Sequence, residues 1–327
     1  MSGKTLQVLS LIHISNDLST IFSGNIGGTG GNFNKAGRGT LTLSGNNTYT
    51  GLTQVQAGSL SAASANALGG TGTGTTVTSG ATLNVNNVTL AAEPITMSGN
   101  GVGSFGALTG TGAATVSGSV RTAAASRVAA TSAASTLTLR GAISSAANDV
   151  NIAGLGDVIA INATNDFGSV GITGANNVSL VDANNIAFTT SALTGNLTAQ
   201  ALGNVTLTNA ISTTGGDITL AGVNFINNAG VSALSARGRW LVYSTAPATD
   251  TFGGLLSGNQ AIWNTNYPTA IAQTGNRYVF TTSPTLTVTS TNQTKTYGQN
   301  GAPTVANAYT VAGFVNAATF GLSLIHI

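Results

Sequence analysis

The sequence predicts an all-β fold, a right-handed parallel β-helix (β-solenoid), from its strand pattern, its repeat length and the residues between its strands. Short runs alternate apolar and small polar residues, which is the period-two pattern of a strand with one buried face. Right-handed coiling is the default for parallel connections. The clearest runs are LTL at 41–43 and 137–139, LNV at 83–85, VNI at 150–152, VSL at 178–180, VTL at 205–207 and ITL at 218–220.

The strand starts between residues 150 and 220 recur at a regular spacing. They fall at 150, 158, 170, 178, 186, 197, 205 and 218, so every second start returns after about twenty residues. In a solenoid each strand pairs with its equivalent one coil later, ~4.8 Å away, and needs no helical crossover. We expect about ten or eleven coils between residues 20 and 240, which would make a rod of about 50 Å.

The segments between the strands predict corners. Asparagine tolerates left-handed backbone, and its side chains stack into ladders. The alanine-rich run from Thr122 to Ser135 has helical propensity but no larger apolar residues at helical spacing, so we expect a small-residue coil or loop there. The asparagine doublets that predict corners are at 46–47, 86–87, 176–177, 184–185 and 227–228.

The composition excludes several classes of protein. Charged residues make up 6% of the 327 residues, where an ordinary soluble domain has roughly a quarter. Disorder requires low hydrophobicity and high net charge, whereas this chain is 42% hydrophobic with a net charge of +2. Its ten basic residues form no patch that would follow a phosphate backbone, so we expect no nucleic-acid partner. The lack of cysteine excludes disulfides, thiolate zinc sites and cysteine nucleophiles.

The two ends share a hexapeptide, LSLIHI, at residues 9–14 and 322–327. It contains both histidines, His13 and His326, which as a pair would suggest a metal site or a dimerisation tag. The peptide resembles a translated sequencing-library adapter, so we expect a non-native leader at 1–15 and a non-native tail. The leader lacks the cleavage site of a signal peptide, and no run in the chain approaches the ~20 apolar residues of a membrane span.

Residues 37–62, GRGTLTLSGNNTYTGLTQVQAGSLSA, closely resemble the autotransporter-associated β-strand repeat. The resemblance rests on glycine corners, a TLTL strand and NTYTG in one fixed order. The segment 94–108, with NGVGSFGAL inside it, looks like the continuation seen in such passengers. The resemblance implies a secreted passenger that folds as a β-helix and crosses the outer membrane.

The composition changes near residue 237, beyond which lie both tryptophans, five of six tyrosines and four of five prolines. RGRWLVYS at 237–244 is similar to the segment that closes the solenoid in filamentous-haemagglutinin-like adhesins, where aromatic residues would cover the open apolar end. LTVTSTNQTKTYG at 286–298 resembles the start of a bacterial Ig-like repeat of the MBG type. We therefore expect an aromatic-rich cap followed by a truncated β-sandwich start.

These features divide the chain into six parts. They are the leader at 1–15, autotransporter-type β-helix repeats at 16–145, β-helix coils of about twenty residues at 146–236, a cap and linker at 237–283, a truncated Ig-like repeat at 284–321 and the tail at 322–327.

The resemblance implies a function in cell adhesion, as the stalk of a bacterial surface adhesin exported by type V secretion to the cell surface. The implied partner is an outer-membrane translocation barrel, either in the same polypeptide or as a separate protein. No residue identifies the host or surface receptor. We assign no catalytic, cofactor-binding or metal-ligating residue and expect no cofactor.

Two motifs resemble nucleotide and calcium sites but lack the context that these sites need. GVGSFG at 101–106 matches the dinucleotide-binding glycine pattern, but no helix is predicted after it and no acid lies between Glu93 and Asp149. We expect these glycines to serve turns. The glycine-rich runs at 27–31 and 69–74 hold no aspartate, which argues against calcium-binding nonapeptide repeats.

A carbohydrate-active β-helix enzyme is the first alternative, and it requires two carboxyl groups ~5 to 9.5 Å apart. Most offsets between the aspartates in the coils miss the twenty-residue repeat, so we expect scattered corner residues. The pairs that would come near with an irregular loop are Asp149 with Asp166 and Asp157 with Asp182. The aspartates considered are Asp149, Asp157, Asp166, Asp182 and Asp217.

A threonine-rich solenoid that binds ice or carbohydrate is the second alternative. Outward threonine is first of all a strand former, so a binding role requires the threonines to align in ranks on one face. The threonines considered are Thr40, Thr42, Thr138, Thr206 and Thr219.

Overall fold

The computed structural model describes residues 5–7, 11–15, 17–145, 147–285, 287–290, 297–298 and 309–312. The described part is all-β, and its helical elements are two 3-10 turns, η1 Val102–Ser104 and η2 Pro247–Thr249. The strands are β1 Thr5–Gln7, β2 Leu11–Ser15, β3 Thr20–Phe22, β4 Asn25–Gly27, β5 Asn32–Ala36, β6 Thr40–Leu43, β7 Thr53–Val55, β8 Ser59–Ala62, β9 Thr75–Val77, β10 Thr82–Asn86, β11 Thr89–Leu90, β12 Ile95–Gly99, β13 Leu108–Thr111, β14 Ala113–Val116, β15 Val120–Ala130, β16 Thr136–Leu139, β17 Ile143–Ser144, β18 Asp149–Gly154, β19 Asp157–Ala160, β20 Ser169–Thr173, β21 Val178–Asp182, β22 Ile186–Leu193, β23 Leu197–Ala201, β24 Val205–Leu207, β25 Ile211–Thr213, β26 Ile218–Ala221, β27 Phe225–Asn227, β28 Leu234–Ser235, β29 Trp240–Ser244, β30 Arg277–Phe280, β31 Thr287–Ser290 and β32 Tyr309–Ala312.

The backbone of the solenoid is a stack of eleven parallel strands, here called the central stack. Each strand pairs with its equivalent in the next coil, which confirms the predicted number of coils and the parallel β-solenoid. The coils differ in length: the coil that joins Leu41 to its partner Leu60 is close to the predicted repeat, and the coil that joins Leu83 to Leu108 is longer. The central stack runs through β3, β6, β8, β10, β13, β15, β18, β20, β22, β24 and β27.

A second face is formed by nine parallel strands, here called the second stack: β11, β14, β16, β19, β21, β23, β26, β29 and β30. The two interleaved series of strand starts in the sequence correspond to these two faces. Starts 158, 178, 197 and 218 lie on the second stack, where Val158, Val178, Leu197 and Ile218 pair in succession. Starts 150, 170, 186 and 205 lie on the central stack.

The alanine-rich segment is a strand, where we expected a coil or loop. β15 pairs through its first residues with β12 and β17, and through Ser126–Ala130 with β18. Exposed alanines at 123–125 lie between these two paired portions. The strand is therefore specified by its partners in the neighbouring coils, whose backbone groups it pairs, and not by its own propensity.

Side chains alternate between the interior and the surface along each strand. On the second stack, Val158, Val178 and Leu197 face inward and are at most 1% exposed. The residues that alternate with them along the strands, such as Ser179 and Thr198, face outward and are partly exposed. Stacking the coils joins the inward residues into one continuous core that runs from Ile26 to Phe280.

Aromatic residues close the end of the core, as the sequence predicts. The rings of Trp240 and Tyr278 meet edge to face with centroids 5.0 Å apart, and Phe252 approaches Tyr278 at 4.9 Å. Trp263 stacks on Phe280 at 4.9 Å. β30, which carries Tyr278 and Phe280, follows β29 after an excursion and pairs with it in parallel.

Strand pairing crosses some of the predicted domain boundaries. The central stack continues across the boundary predicted at 145–146, since β15 on one side of it pairs with β18 on the other. The backbone of β2, inside the predicted leader, pairs with β5. β31 and β32 form an antiparallel pair in the predicted Ig-like segment, most of which lies outside the described residues, as does the tail with His326.

Replacing an inward residue is expected to destabilise the solenoid far more than replacing its outward neighbour. Leu180→Ala removes a side chain that is 1% exposed, and the resulting cavity is expected to cost about 2–5 kcal/mol of the free energy of unfolding. Ser179→Ala, one residue earlier on the outer face, is expected to change it by less than about 0.5 kcal/mol. Urea unfolding of both variants measures the difference, and equal effects would contradict the assigned strand faces.

Candidate functional site

Polar side chains form a ladder at the corner that precedes the second stack. The Oδ1 atom of Asp157 accepts a hydrogen bond from the backbone N of Asn177 at 3.0 Å, and Asn177 accepts in the same way from Asn196 at 2.9 Å. Asn196 then accepts from the backbone N of Asp217 at 2.8 Å, and Asp217 accepts from that of Arg239 at 2.9 Å. The ladder thus links five consecutive coils, and it confirms the prediction of stacked corner side chains.

The corner asparagines act mainly through their side chains and not through left-handed backbone. Of the doublets predicted from the sequence, Asn87 has a positive φ, 53°. At the corners where coils approach most closely, glycine is needed for space. A Cβ on Gly118 would lie 2.0 Å from the backbone O of Glu93, and one on Gly141 would lie 2.0 Å from the backbone O of Gly118.

Asp157 and Asp182 do not form the pair of neighbouring carboxylates that a glycosidase would need. Asp157 lies beside Asn177 at the start of β21, whereas Asp182 ends that strand. Five residues of strand separate the two levels, about 16 Å at ~3.3 Å per residue. That distance exceeds the ~5 to 9.5 Å of glycosidase chemistry. Asp149, for its part, accepts a hydrogen bond from Ser169 on the next coil.

Asp166 and Asp182 come together although their offset in the sequence misses the repeat, so the expectation that these aspartates are scattered is wrong for this pair. Asn184 links them: its backbone N donates to Oδ1 of Asp182 at 2.8 Å, and its Nδ2 donates to Oδ1 of Asp166 at 3.0 Å. The pairing arises because the coil is short here, with the backbone N of Ala183 bonded to the O of Asn165.

The environment of Asp182 indicates a structural role. Its side chain is fully buried, and its other oxygen accepts from the backbone N of Phe167 at 3.0 Å. Burial raises the pKa of this carboxyl, against the lowering effect of the two backbone hydrogen bonds, and the charge of Asp166 raises it further. Both oxygens of Asp182 thus accept hydrogen bonds from backbone N–H groups of the solenoid, and burial keeps this side chain away from solvent.

Glu93, which was not among the candidate residues predicted from the sequence, is a buried acid that is 2% exposed. Its Oε1 accepts a hydrogen bond from Oγ1 of Thr75 at 2.7 Å, and its Oε2 is buried without a hydrogen-bond partner among the residues that the structure describes. Burial raises the pKa of Glu93 from 4.5 to about 7. A signal was present in the sequence, since Glu93 is the one acid between Asp17 and Asp149.

A third carboxyl with a raised pKa, that of Asp250, lies under the cap. Asp250 accepts hydrogen bonds from Oγ of Ser244 at 2.5 Å and from the backbone N of Phe225 at 2.8 Å. Burial raises its pKa to about 6 in spite of these bonds. Like Asp182, this acid bonds to backbone of the solenoid, and it joins β27 to β29.

The glycines of GVGSFG serve turns, as predicted. Gly101, Gly103 and Gly106 have φ values of 76°, 58° and 149°, in the region that favours glycine. A single 3-10 turn, η1, takes the place of the helix that a dinucleotide site requires. This loop projects over the outer face of the central stack.

The five threonines considered above divide between two faces. Thr40, Thr42 and Thr206 lie on the central stack, and Thr138 and Thr219 lie on the second. Thr138 and Thr219 belong to one column of paired residues, here called the hydroxyl rank. Its members, in the order of the coils, are Thr89, Thr115, Thr138, Ile159, Ser179, Thr198 and Thr219.

Metal sites and membrane-spanning helices are both absent from the described residues. These residues contain no group of three or more His, Cys, Asp or Glu side chains placed to hold a metal ion. None of their helices has the length and apolar character needed to cross a membrane.

Comparison with known proteins matches one segment of the chain. The family model described as Passenger-associated-transport-repeat matches residues 33–62, which confirms the resemblance seen at 37–62. No curated protein and no solved structure matches the chain. The matched segment extends from β5 to β8 and so contributes strands to two neighbouring coils. The match and the solenoid together point to an autotransporter passenger with a structural and not a catalytic role.

The stability of the solenoid is expected to fall as the pH rises through the titration of Glu93. A carboxyl whose pKa is raised in the fold stabilises the native state fully below its unfolded pKa, 4.5, and this stabilisation is lost as the pH rises through about 7. Glu93→Gln keeps the shape and removes the titration. The free energy of unfolding should therefore drop between pH 4.5 and 8.5 by up to about 3 kcal/mol more in the parent protein than in the variant.

Urea unfolding at the two pH values measures this loss. Ser179→Ala, which changes an outward side chain and no ionisable group, is the control and should keep the pH dependence of the parent protein. An identical pH dependence in the parent and in Glu93→Gln would show that Glu93 is not the group responsible.

Proposed function

We propose that this chain is the stalk of a bacterial surface adhesin, a passenger exported by type V secretion and displayed outside the outer membrane. The observation that carries the proposal is the passenger-associated repeat at 33–62, built into the first coils of an eleven-strand stack. The stack would place whatever lies beyond it about 50 Å from its start. The fold itself would therefore contribute to adhesion by holding its far end at a distance from its start.

The surface of the solenoid supports this function. Thr, Ser and Asn take the positions that charged residues occupy on most soluble proteins, and 6% of the chain is charged. A chain with few charges and no cysteine has no disulfide to form before it crosses a membrane, which suits export in an extended state. The proposed partners are a translocation barrel, in the same polypeptide or separate, and a surface receptor of unknown identity. The MBG-type repeat near 284 remains part of this proposal.

The export proposal is tested by deleting one coil at a time within the complete reading frame. Removing 41–59 joins Thr40 to Leu60, which already pairs with Leu41, so the register of the stack is kept. Removing 178–196 likewise brings Leu197 to the position of Val178. The two deletions have the same length and each shortens the rod by one strand spacing. Only the first removes most of the matched repeat.

Deletion of 41–59 is expected to lower the amount of passenger on intact cells at least threefold, because it removes the repeat linked to transport. Deletion of 178–196 should leave export unchanged. Antibody labelling and protease accessibility of intact cells, normalised to total protein, measure both. Equal export of the two variants would contradict a role for the repeat, and a passenger confined to the cytoplasm in the parent strain would contradict the export proposal. Adherence of the same cells to epithelial monolayers tests the adhesin function.

The hydroxyl rank favours a second function, the binding of a polysaccharide surface along the second stack. Its residues Ser179, Thr198 and Thr219 repeat at the ~4.8 Å spacing of the coils, and they lie beside the corner ladder of Asn177, Asn196 and Asp217. A shallow cavity of about 340 Å³ is lined by the ladder and by Ser179, Thr198 and Thr219. Such a surface offers a row of donors and acceptors to sugar hydroxyls.

The rank is tested by replacing threonine with valine, which keeps the branched shape and removes the hydroxyl. The triple variant Thr138→Val, Thr198→Val and Thr219→Val is expected to lower the retention of the protein on cellulose and chitin particles at least fivefold. The matched control is the triple variant at Thr40, Thr42 and Thr206, on the central stack. Equal retention of the two variants would show that the hydroxyl rank is not the binding surface.

A further inference from the structure

An apolar cleft of about 550 Å³ lies on the outside of the solenoid, beneath the loop that contains GVGSFG. Leu83 and Leu108 are paired across a coil that is longer than the usual repeat, and the additional residues form this loop. Its Phe105 lines one part of the cleft, and Leu155, from the turn after β18, lines another. A volume between ~300 and ~1,000 Å³ with mostly apolar walls is typical of small-molecule sites.

The floor of the cleft is part of the outer face of the central stack, and the loop that contains GVGSFG covers it. Ala129 and Ala153 are paired neighbours on β15 and β18, and their side chains point away from the core that their neighbours Val128 and Ile152 fill. They are nevertheless only 2% and 5% exposed. The loop therefore converts part of a flat outer face into a concave apolar surface.

The walls expose large apolar side chains to solvent. Phe105 is 77% exposed and Leu155 is 61% exposed, and both line the same cavity. Leaving two such side chains in water is unfavourable by about 25 cal/mol for each Å² of exposed apolar surface. An apolar ligand between them would remove that surface from water.

One cation lines the cleft and is incompletely paired. Arg127 donates a hydrogen bond from Nη1 to the backbone O of Ser104 at 2.5 Å, which fixes the guanidinium beside the loop. Its Nε is buried and has no hydrogen-bond partner in the part of the chain that the structure describes. Arg127 as a whole is partly exposed and lines the cleft, so its remaining guanidinium N–H groups are the donors available to a ligand there.

The charged side chain that lines the cleft is a cation, Arg127. Residues 94–148 contain Arg121, Arg127 and Arg140 and no acid, although the whole chain has a net charge of +2. The nearest acid in sequence to the lining residues, Asp157, is bonded to the side-chain and backbone amides of Asn177. Arg127, the charged side chain in the lining, therefore favours an anionic group in the cleft.

We propose that this cleft binds a small organic anion that carries one carboxylate on an apolar body. The apolar body lies between Phe105 and Leu155 over the two alanines, and the carboxylate accepts hydrogen bonds from Arg127. The inference does not depend on the route by which the chain is exported.

The test uses 2-naphthoate as the probe and 2-naphthol as its uncharged counterpart, titrated into the whole protein and followed by calorimetry. Saturable binding with a stoichiometry of one is expected, and 2-naphthoate should bind at least tenfold more tightly than 2-naphthol. Phe105→Ala and Arg127→Gln are each expected to weaken the binding of 2-naphthoate at least tenfold. Arg127→Lys keeps the charge and should weaken it less than Arg127→Gln.

Matched controls lie outside the cleft. Ile161→Ala removes another exposed apolar side chain, 58% exposed, and Arg140→Gln removes another arginine from the same basic segment. Neither should change the affinity. Unchanged urea midpoints would establish that the variants fold. Absence of saturable binding, equal affinity for the two probes, or an equal loss in the control variants would overturn the proposal.

Discussion

Every feature of this molecule depends on the parallel pairing of each coil with the next. A single coil of about twenty residues has no partner of its own for its backbone N–H and C=O groups, and it buries its apolar face only against its neighbours. Pairing in register aligns equivalent residues into columns, such as Val158, Val178, Leu197 and Ile218 inside the second stack. The core, the corner ladder and the hydroxyl rank are all such columns.

The columns also account for the unusual composition. Residues at equivalent positions stand ~4.8 Å apart, and two like charges at that distance in water repel by about 1 kcal/mol. Hydroxyl and amide side chains instead donate to one neighbour and accept from the other, so they are favoured on an outer column. In the corner ladder the two carboxylates, Asp157 and Asp217, are separated by Asn177 and Asn196. A solenoid built in this way keeps a polar surface although 6% of its residues are charged.

The regular part of the fold is predictable from the sequence because its period is local. The series of starts at 158, 178, 197 and 218 identifies the strands of one face, and the Asn doublet at 176–177 identifies a corner. The irregular part is decided by contacts between coils that no local period reveals. Such contacts make β15 a strand, bring Asp166 to Asp182 through a short coil, and bury Glu93. The sequence does not reveal the apolar cleft for the same reason, since its lining residues come from four separate coils.

The central claim, in-register parallel stacking, is tested most directly by disulfide cross-linking, because the chain has no native cysteine. Thr198 and Thr219 are paired on adjacent coils, and their Cα atoms should lie within the ~4.4 to 6.8 Å that a disulfide requires. The double variant Thr198→Cys and Thr219→Cys is expected to form an intramolecular disulfide on mild oxidation. Ser179→Cys with Thr219→Cys, two coils and about 10 Å apart, is expected not to. Cross-linking of the second pair as fast as the first, or of neither, would contradict the stacking.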